Sequence, residues 1–248
     1  MSDIVITTSW DDGHPLDHKL GNLLSSHKIP GTFYIPCKMD EKKFMDKNEI
    51  KSLSKNFEIG GHTLNHVVLT GLSKNEMYQE ISKGKEDMEL ICGEITSFAY
   101  PKGQYNKDAM DAVKKAGFSG ARTADYLRCS IKNIFEHFPT IHAFNQILAS
   151  RGKHTILSHD KGLSFSMLYS GYIFKHWKEL AKGSLDYVLE HGGIWHLWGH
   201  SWEIDENNDW KNLSEVLEYA HTQGTKYGAE FLSNGEIFSN SQKYLNKN

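Results

Sequence analysis

Adjacent carboxylates at Asp11–Asp12 and histidines spaced four apart at His14/His18, His62/His66 and His196/His200 are the residues of this sequence with the clearest capacity for chemistry. Two imidazoles at i and i+4 on a helical turn point at one ion, and a carboxylate can complete the set. Spacing alone does not choose a pair, because 14 histidines in 248 residues give roughly 0.8 such spacings by chance. Context favours His62 and His66. They follow Gly60–Gly61 at the end of a predicted strand, and Asp11–Asp12 closes another. Two histidines and one carboxylate leave positions open for water and substrate, the pattern of a catalytic zinc or related site. With two adjacent aspartates, one can hold the ion while the other takes a proton from water. The bland alternatives are a turn or helix cap for Asp-Asp-Gly, and surface or capping roles for the histidines.

Positioning these groups requires strands that end together. Ile4 to Ser9, Gly31 to Ile35, Phe57 to Gly60, Ser97 to Tyr100, Phe118 to Ala121 and Ile194 to Trp198 read as strands. Between them lie helical patterns: Leu16 to Leu24; Asp46 to Leu53, opened by an Asp46/Glu49 capping box; a long helix opened by Ser73/Glu76; Asn106 to Ala116; Phe174 to Leu189; and one carrying Leu213, Val216, Leu217 and Ala220. From Thr123 to about Tyr169 (residues 123–170 at the widest) periodicity is poor, and an irregular insertion or pair of units is expected. Strand and helix alternating at least six times predicts parallel βα units. Because each candidate cluster sits just after a strand, a distorted (β/α)-barrel in a single domain, with the clusters converging on its C-terminal rim, is preferred over an open sheet.

The composition is that of an ordinary folded chain, with 39% hydrophobic and 24% charged residues. A formal net charge of −3 with no basic runs argues against nucleic acid as a partner. No stretch has the length and apolarity of a membrane span, and no membrane partner is expected. The N-terminus MSDIVITTSWDDG lacks the features of a signal peptide, and Cys37, Cys92 and Cys129 have no CxxC spacing. As written, both point to the cytoplasm, or to secretion if a signal peptide has been removed.

Thr8-Ser9-Trp10-Asp11-Asp12-Gly13, His62-Thr-Leu-Asn-His66, Tyr100-Pro101-Lys102-Gly103 and Leu197-Trp198-Gly199-His200 occur in this order. The set resembles the polysaccharide deacetylase family, carbohydrate esterase family 4, over residues 8 to 200. The resemblance implies a distorted barrel of about seven strands and hydrolysis of N-acetyl, or sometimes O-acetyl, groups on a saccharide, with one divalent ion, most often Zn2+. It further implies Asp11 as general base, Asp12, His62 and His66 as metal ligands, His200 as general acid and the backbone N–H of Lys102 as an oxyanion donor. Tyr105 and Trp198 are candidates for contacting substrate, and Trp10 for a pocket wall. His196 is the alternative to His200, since alternation along its strand can also turn it inward. A hydrolase of the same fold acting on a non-sugar amide or cyclic ureide, and a non-catalytic glycan-binding protein, are the competing readings.

The sequence departs from the family in two places. Alanine, Ala99, stands where the family's third motif carries an arginine that pairs with the base. Arg122, at the end of the next predicted strand, is expected to reach across the rim to Asp11 instead. The Asp-Trp pair of the fourth motif, which tunes the histidine, has only weak counterparts in Asp125–Tyr126 and Asp160.

Overall fold

The computed structural model describes residues 4–39, 43–145 and 160–245. Along the chain the elements are β1 (Ile4–Asp11), α1 (Asp17–Ser26), β2 (Thr32–Ile35), α2 (Lys47–Leu53), β3 (Glu58–Gly61), α3 (Lys74–Cys92), β4 (Ser97–Ala99), α4 (Lys107–Lys115) and β5 (Gly120–Arg122). They continue with β6 (Ile141–His142), α5 (Lys161–Tyr169), α6 (Trp177–His191), β7 (Gly193–Gly199), α7 (Ser201–Glu206), α8 (Trp210–Tyr227), β8 (Glu230–Phe231) and α9 (Asn234–Ser239). Both capping boxes form, Asp46/Glu49 on α2 and Ser73/Glu76 on α3.

All strand pairings are parallel, in the order β5-β4-β3-β2-β1-β7-β6. The two ends of that order are drawn together by the segment leading through β6. On one side His137 N–H donates to Ala121 O (2.9 Å) and Thr123 N–H to His137 O (2.8 Å). On the other, Thr140 N–H donates to His196 O (2.9 Å) and Ala143 N–H to Trp198 O (2.8 Å). The sheet is therefore a curled, distorted (β/α)7-type barrel whose last seam is a few backbone bonds, as the alternation predicts. β8 pairs with β1 at Val5 and Ile6, beside the stretch of β1 that precedes its first pairing with β2 at Ser9.

Alternation along β1 separates two environments. Ile6 and Trp10 join Leu20, Leu24, Leu213 and Leu217 in the apolar layer between sheet and helices. Thr7, Ser9 and Asp11 face the other way, into an interior that is polar and hydrogen-bonded. Thr7 Oγ1 donates to Asn234 Oδ1 (3.0 Å), Asn234 Nδ2 to Tyr34 Oη (3.0 Å), and Thr32 Oγ1 to Glu58 Oε2 (2.8 Å), while Ser97 also bonds Glu58. Asn234, the first residue of α9, thus joins that helix to the barrel interior. Buried polar groups satisfied by one another fix partners in a way apolar contacts do not. Gly60 is required here, since a Cβ on it would lie 2.4 Å from the Tyr34 ring.

The poorly periodic region supplies β6 and α5, and residues 146–159 lie outside the described residues. The helix expected from Phe174 starts at Trp177, because residues 172–174 form a 3-10 turn and the His176 side chain accepts from Lys178 N–H to cap α6. Among the described residues, no helix is long and apolar enough to cross a membrane.

Candidate active site

β1, β3 and β7 deliver their chemistry-bearing residues to one rim. Asp11, Asp12, His62, His66, Lys102, Trp198 and His200 line a single cavity of about 260 Å³ together with Met39, Gly103, Ala124 and Trp202. Four of the seven non-glycine residues with positive φ among the described residues are here: Asp12 (84°), Thr63 (67°), His66 (52°) and Lys102 (55°). Each such conformation costs free energy, and clustering at a cleft is the pattern of a functional site.

Asp12, His62 and His66 bring one ligand atom each to within 4.8 Å of one another. Asp12 Oδ1 lies 3.3 Å from His66 Nε2 and 4.0 Å from His62 Nε2. His62 Nδ1 donates to Ala99 O at 2.8 Å, which fixes the tautomer and leaves Nε2 with a lone pair aimed at the carboxylate. Burial lowers the His62 pKa to about 4 and lowers that of His66, so both rings are neutral at physiological pH. Neutral imidazole lone pairs converging on a carboxylate form a donor set that fits a divalent cation. The other oxygen of Asp12 accepts from Trp202 Nε1 (3.3 Å) and stands 3.8 Å from His200 Nε2.

Two charged pairs flank this set. Arg122 is fully buried and its Nη2 donates to Asp11, itself 4% exposed. The guanidinium lies between the rings of Tyr34 and Trp198, 5.1 and 5.0 Å from their centroids. Ala99 and Arg122 are register partners on β4 and β5. The arginine absent from position 99 is thus supplied one strand over, on the same face. Across the cavity, His200 Nδ1 donates to Glu203 Oε2 (2.6 Å), and the same oxygen accepts from His142 Nε2 (3.0 Å). Burial alone would lower the His200 pKa, but the Glu203 hydrogen bond and charge, with Asp12 and Asp11, outweigh it and hold the pKa raised. Burial also pushes Glu203 upward, and the bonds from His142 and His200 overcome this and lower it. Ser201 Oγ donates to Asp17 Oδ1 (2.5 Å), tying the residue after His200 to the first turn of α1.

Several expected residues lie elsewhere. Tyr105 is outside the cavity, stacked on Tyr100 with its hydroxyl bonded to Glu136. Trp10 is fully buried and donates to Thr8 Oγ1 (3.1 Å), so it packs the core and does not wall the pocket. His196 lies inside the barrel, bonded to Ser9 Oγ (2.8 Å) and His137 Nε2 (2.9 Å). His14 lines a neighbouring cleft. Asp160 caps α5 and accepts from Cys129, and Tyr126 is buried; the partner of His200 is Glu203 instead. The i,i+3 spacing of His200 and Glu203 was a usable signal for that pair. His142, on a strand with no periodic pattern, had none.

Fold and site together define a class: a parallel (β/α)7-type barrel carrying two histidines and a carboxylate at the C-terminal ends of its strands. Residues 1–121 match the polysaccharide deacetylase family model. A curated relative, a peptidoglycan-N-acetylglucosamine deacetylase of Bacillus cereus, is 27% identical over 117 residues, 46% of this chain and 54% of that protein. The chain spans about half the length of the curated relatives it matches. Among solved structures, a Mycobacterium smegmatis protein assigned to the polysaccharide deacetylases aligns over 97% of this chain and 92% of its own, at TM-score 0.65 and 15% identity. Bacillus subtilis PdaA, a family 4 carbohydrate esterase, aligns over 96% and 82%, at TM-score 0.56 and 17% identity. At these identities the likeness is one of fold.

Proposed function

We propose that this chain is a divalent-metal-dependent deacetylase that hydrolyses the N-acetyl group of an acetylamino sugar in a glycan, releasing acetate. The observation that carries the reading is the placement of the Asp12, His62, His66 donor set between an arginine-paired carboxylate, Asp11, and a carboxylate-paired histidine, His200. A zinc or similar ion held there would polarise the acetyl carbonyl and acidify water. Asp11 takes the proton of the attacking water, and Arg122, bonded to its carboxylate, aims it. The backbone N–H of Lys102 donates to the oxyanion as the carbonyl becomes tetrahedral. His200, held by Glu203, gives its proton to the leaving nitrogen, without which an amine is a poor leaving group. Trp202 offers an apolar face to the sugar ring, while Trp198, stacked on His142 and set against Arg122, contributes to the cavity wall. The name of the Bacillus cereus relative supports an acetylamino sugar as substrate.

The test is acetate release from N-acetylglucosamine oligomers and from an O-acetylated sugar, using metal-stripped protein with and without added zinc, beside Asp11→Asn. Zinc-dependent release from the amide substrates, abolished by Asp11→Asn, is expected. Release only from the O-acetylated sugar, or from none, overturns the N-deacetylase reading.

A further inference from the structure

Among the described residues, the outer face of α5 and the turn after it carry exposed apolar surface. Leu163, Ser164 and Met167 are the buried side of this helix. Phe165, Leu168 and Tyr169, at i, i+3 and i+4, point the other way and are 69%, 46% and 87% exposed, and Phe174 in the following turn is 65% exposed. The rings of Phe165 and Tyr169 lie nearly parallel, 13° apart in plane and 6.2 Å between centroids, so they form one strip. A helix apolar on both faces has one face for the core and one for something else.

The chemistry around the strip selects the occupant. From Lys161 to Lys175 the only polar side chains besides the two lysines are serines and tyrosines, and no acidic residue occurs between Asp160 and Glu179. A sugar-binding platform needs carboxylates or amides for the hydroxyls, and the segment from Lys161 to Lys175 carries neither. Exposed Lys161 and Lys175 bracket the apolar strip. Phenylalanine and leucine for the acyl boundary, a tyrosine for the interface and lysines for phosphate headgroups are the composition of an element that lies in a membrane surface without crossing it. We propose that α5 and the turn to Lys175 dock this protein peripherally on an anionic lipid surface. This amends the expectation that no membrane is a partner, and it stands independently of the deacetylase reading because its assay reads binding.

The experiment is co-sedimentation of the full-length chain with phosphatidylcholine vesicles, with and without phosphatidylglycerol. Phe165→Ser/Leu168→Ser and Lys161→Glu/Lys175→Glu are run in parallel, with thermal melts to verify folding. Binding to the anionic vesicles is expected, weakened by salt and reduced about tenfold or more by either double variant while the melting temperature holds. Wild-type protein that stays in the supernatant with both vesicle types overturns the proposal. So does concentration-dependent self-association, abolished by Phe165→Ser/Leu168→Ser, without vesicle binding, because the strip is then an interface between copies.

Discussion

Arg122→Ala is the most informative substitution, because its cost can be worked from the structure in two currencies. The guanidinium is fully buried, flanked by Tyr34 and Trp198, and bonded to an Asp11 that is only 4% exposed. Removing one partner of a buried ion pair costs about 3–5 kcal/mol, since the other charge stays buried without compensation. At about 2–4 °C per kcal/mol for a chain of this size, the melting temperature falls by roughly 6–20 °C. Without the guanidinium the Asp11 carboxylate loses the partner that aims it at the attacking water, so acetate release falls by about 10²–10³-fold. The register pairing of Ala99 with Arg122 adds a sharper arm. Ala99→Arg combined with Arg122→Ala returns the arginine to the neighbouring strand on the same face, and it should recover at least about tenfold in kcat/KM over Arg122→Ala alone. Differential scanning fluorimetry and acetate release at neutral pH read both quantities. An Arg122→Ala enzyme with unchanged melting temperature and kcat/KM would refute the pairing argument, and a double variant no better than the single one would refute the strand exchange.

Three further outcomes follow from the same geometry. Glu203→Gln removes the charge that holds His200 raised; because His200 must be protonated to act, the alkaline limb of the kcat/KM profile moves to lower pH, and an unmoved limb would place the acid elsewhere. Asp17 is buried, which raises its pKa to about 8, so its folded state resists ionisation that the unfolded state allows from about 3.8 upward; wild-type stability is penalised progressively between those values, and Asp17→Asn should flatten that part of the melting temperature against pH. If the two curves run parallel, Asp17 is not the group responsible. Gly60→Ala places a Cβ against the Tyr34 ring and should cost about 1–3 kcal/mol by urea denaturation, with an unaltered midpoint counting against a tightly filled interior.

The strands and helices with clean periodicity were legible from the sequence, and so was the convergence of Asp11, Asp12, His62, His66 and His200, because ordered motifs after successive strands leave few other places for them. Arg122 was legible as a compensation for Ala99. β6 was not: it is two residues long and held by bonds to both neighbours, so no run of alternating residues marks it. Tyr105 and Trp10 were misplaced because neighbourhood in sequence says nothing about which way an aromatic ring turns. Tyr105 swings to Glu136, and alternation on β1 puts Trp10 on the face opposite Asp11. Glu203 was overlooked although its i,i+3 spacing from His200 could have marked it, because an acidic residue in the first turn of a helix serves equally well at the surface.

The pairing of β1 with β7 has a consequence for how the chain is made. Ile4 pairs with Gly193 and Trp10 with Gly199, so this edge of β1 stays uncovered until β7, far along the chain, has been made. Until then the β1 edge lies open to other nascent strands, and contacts so distant in sequence form slowly. Yield during synthesis should therefore respond more to temperature and chaperone supply than the finished barrel's resistance to heat would suggest.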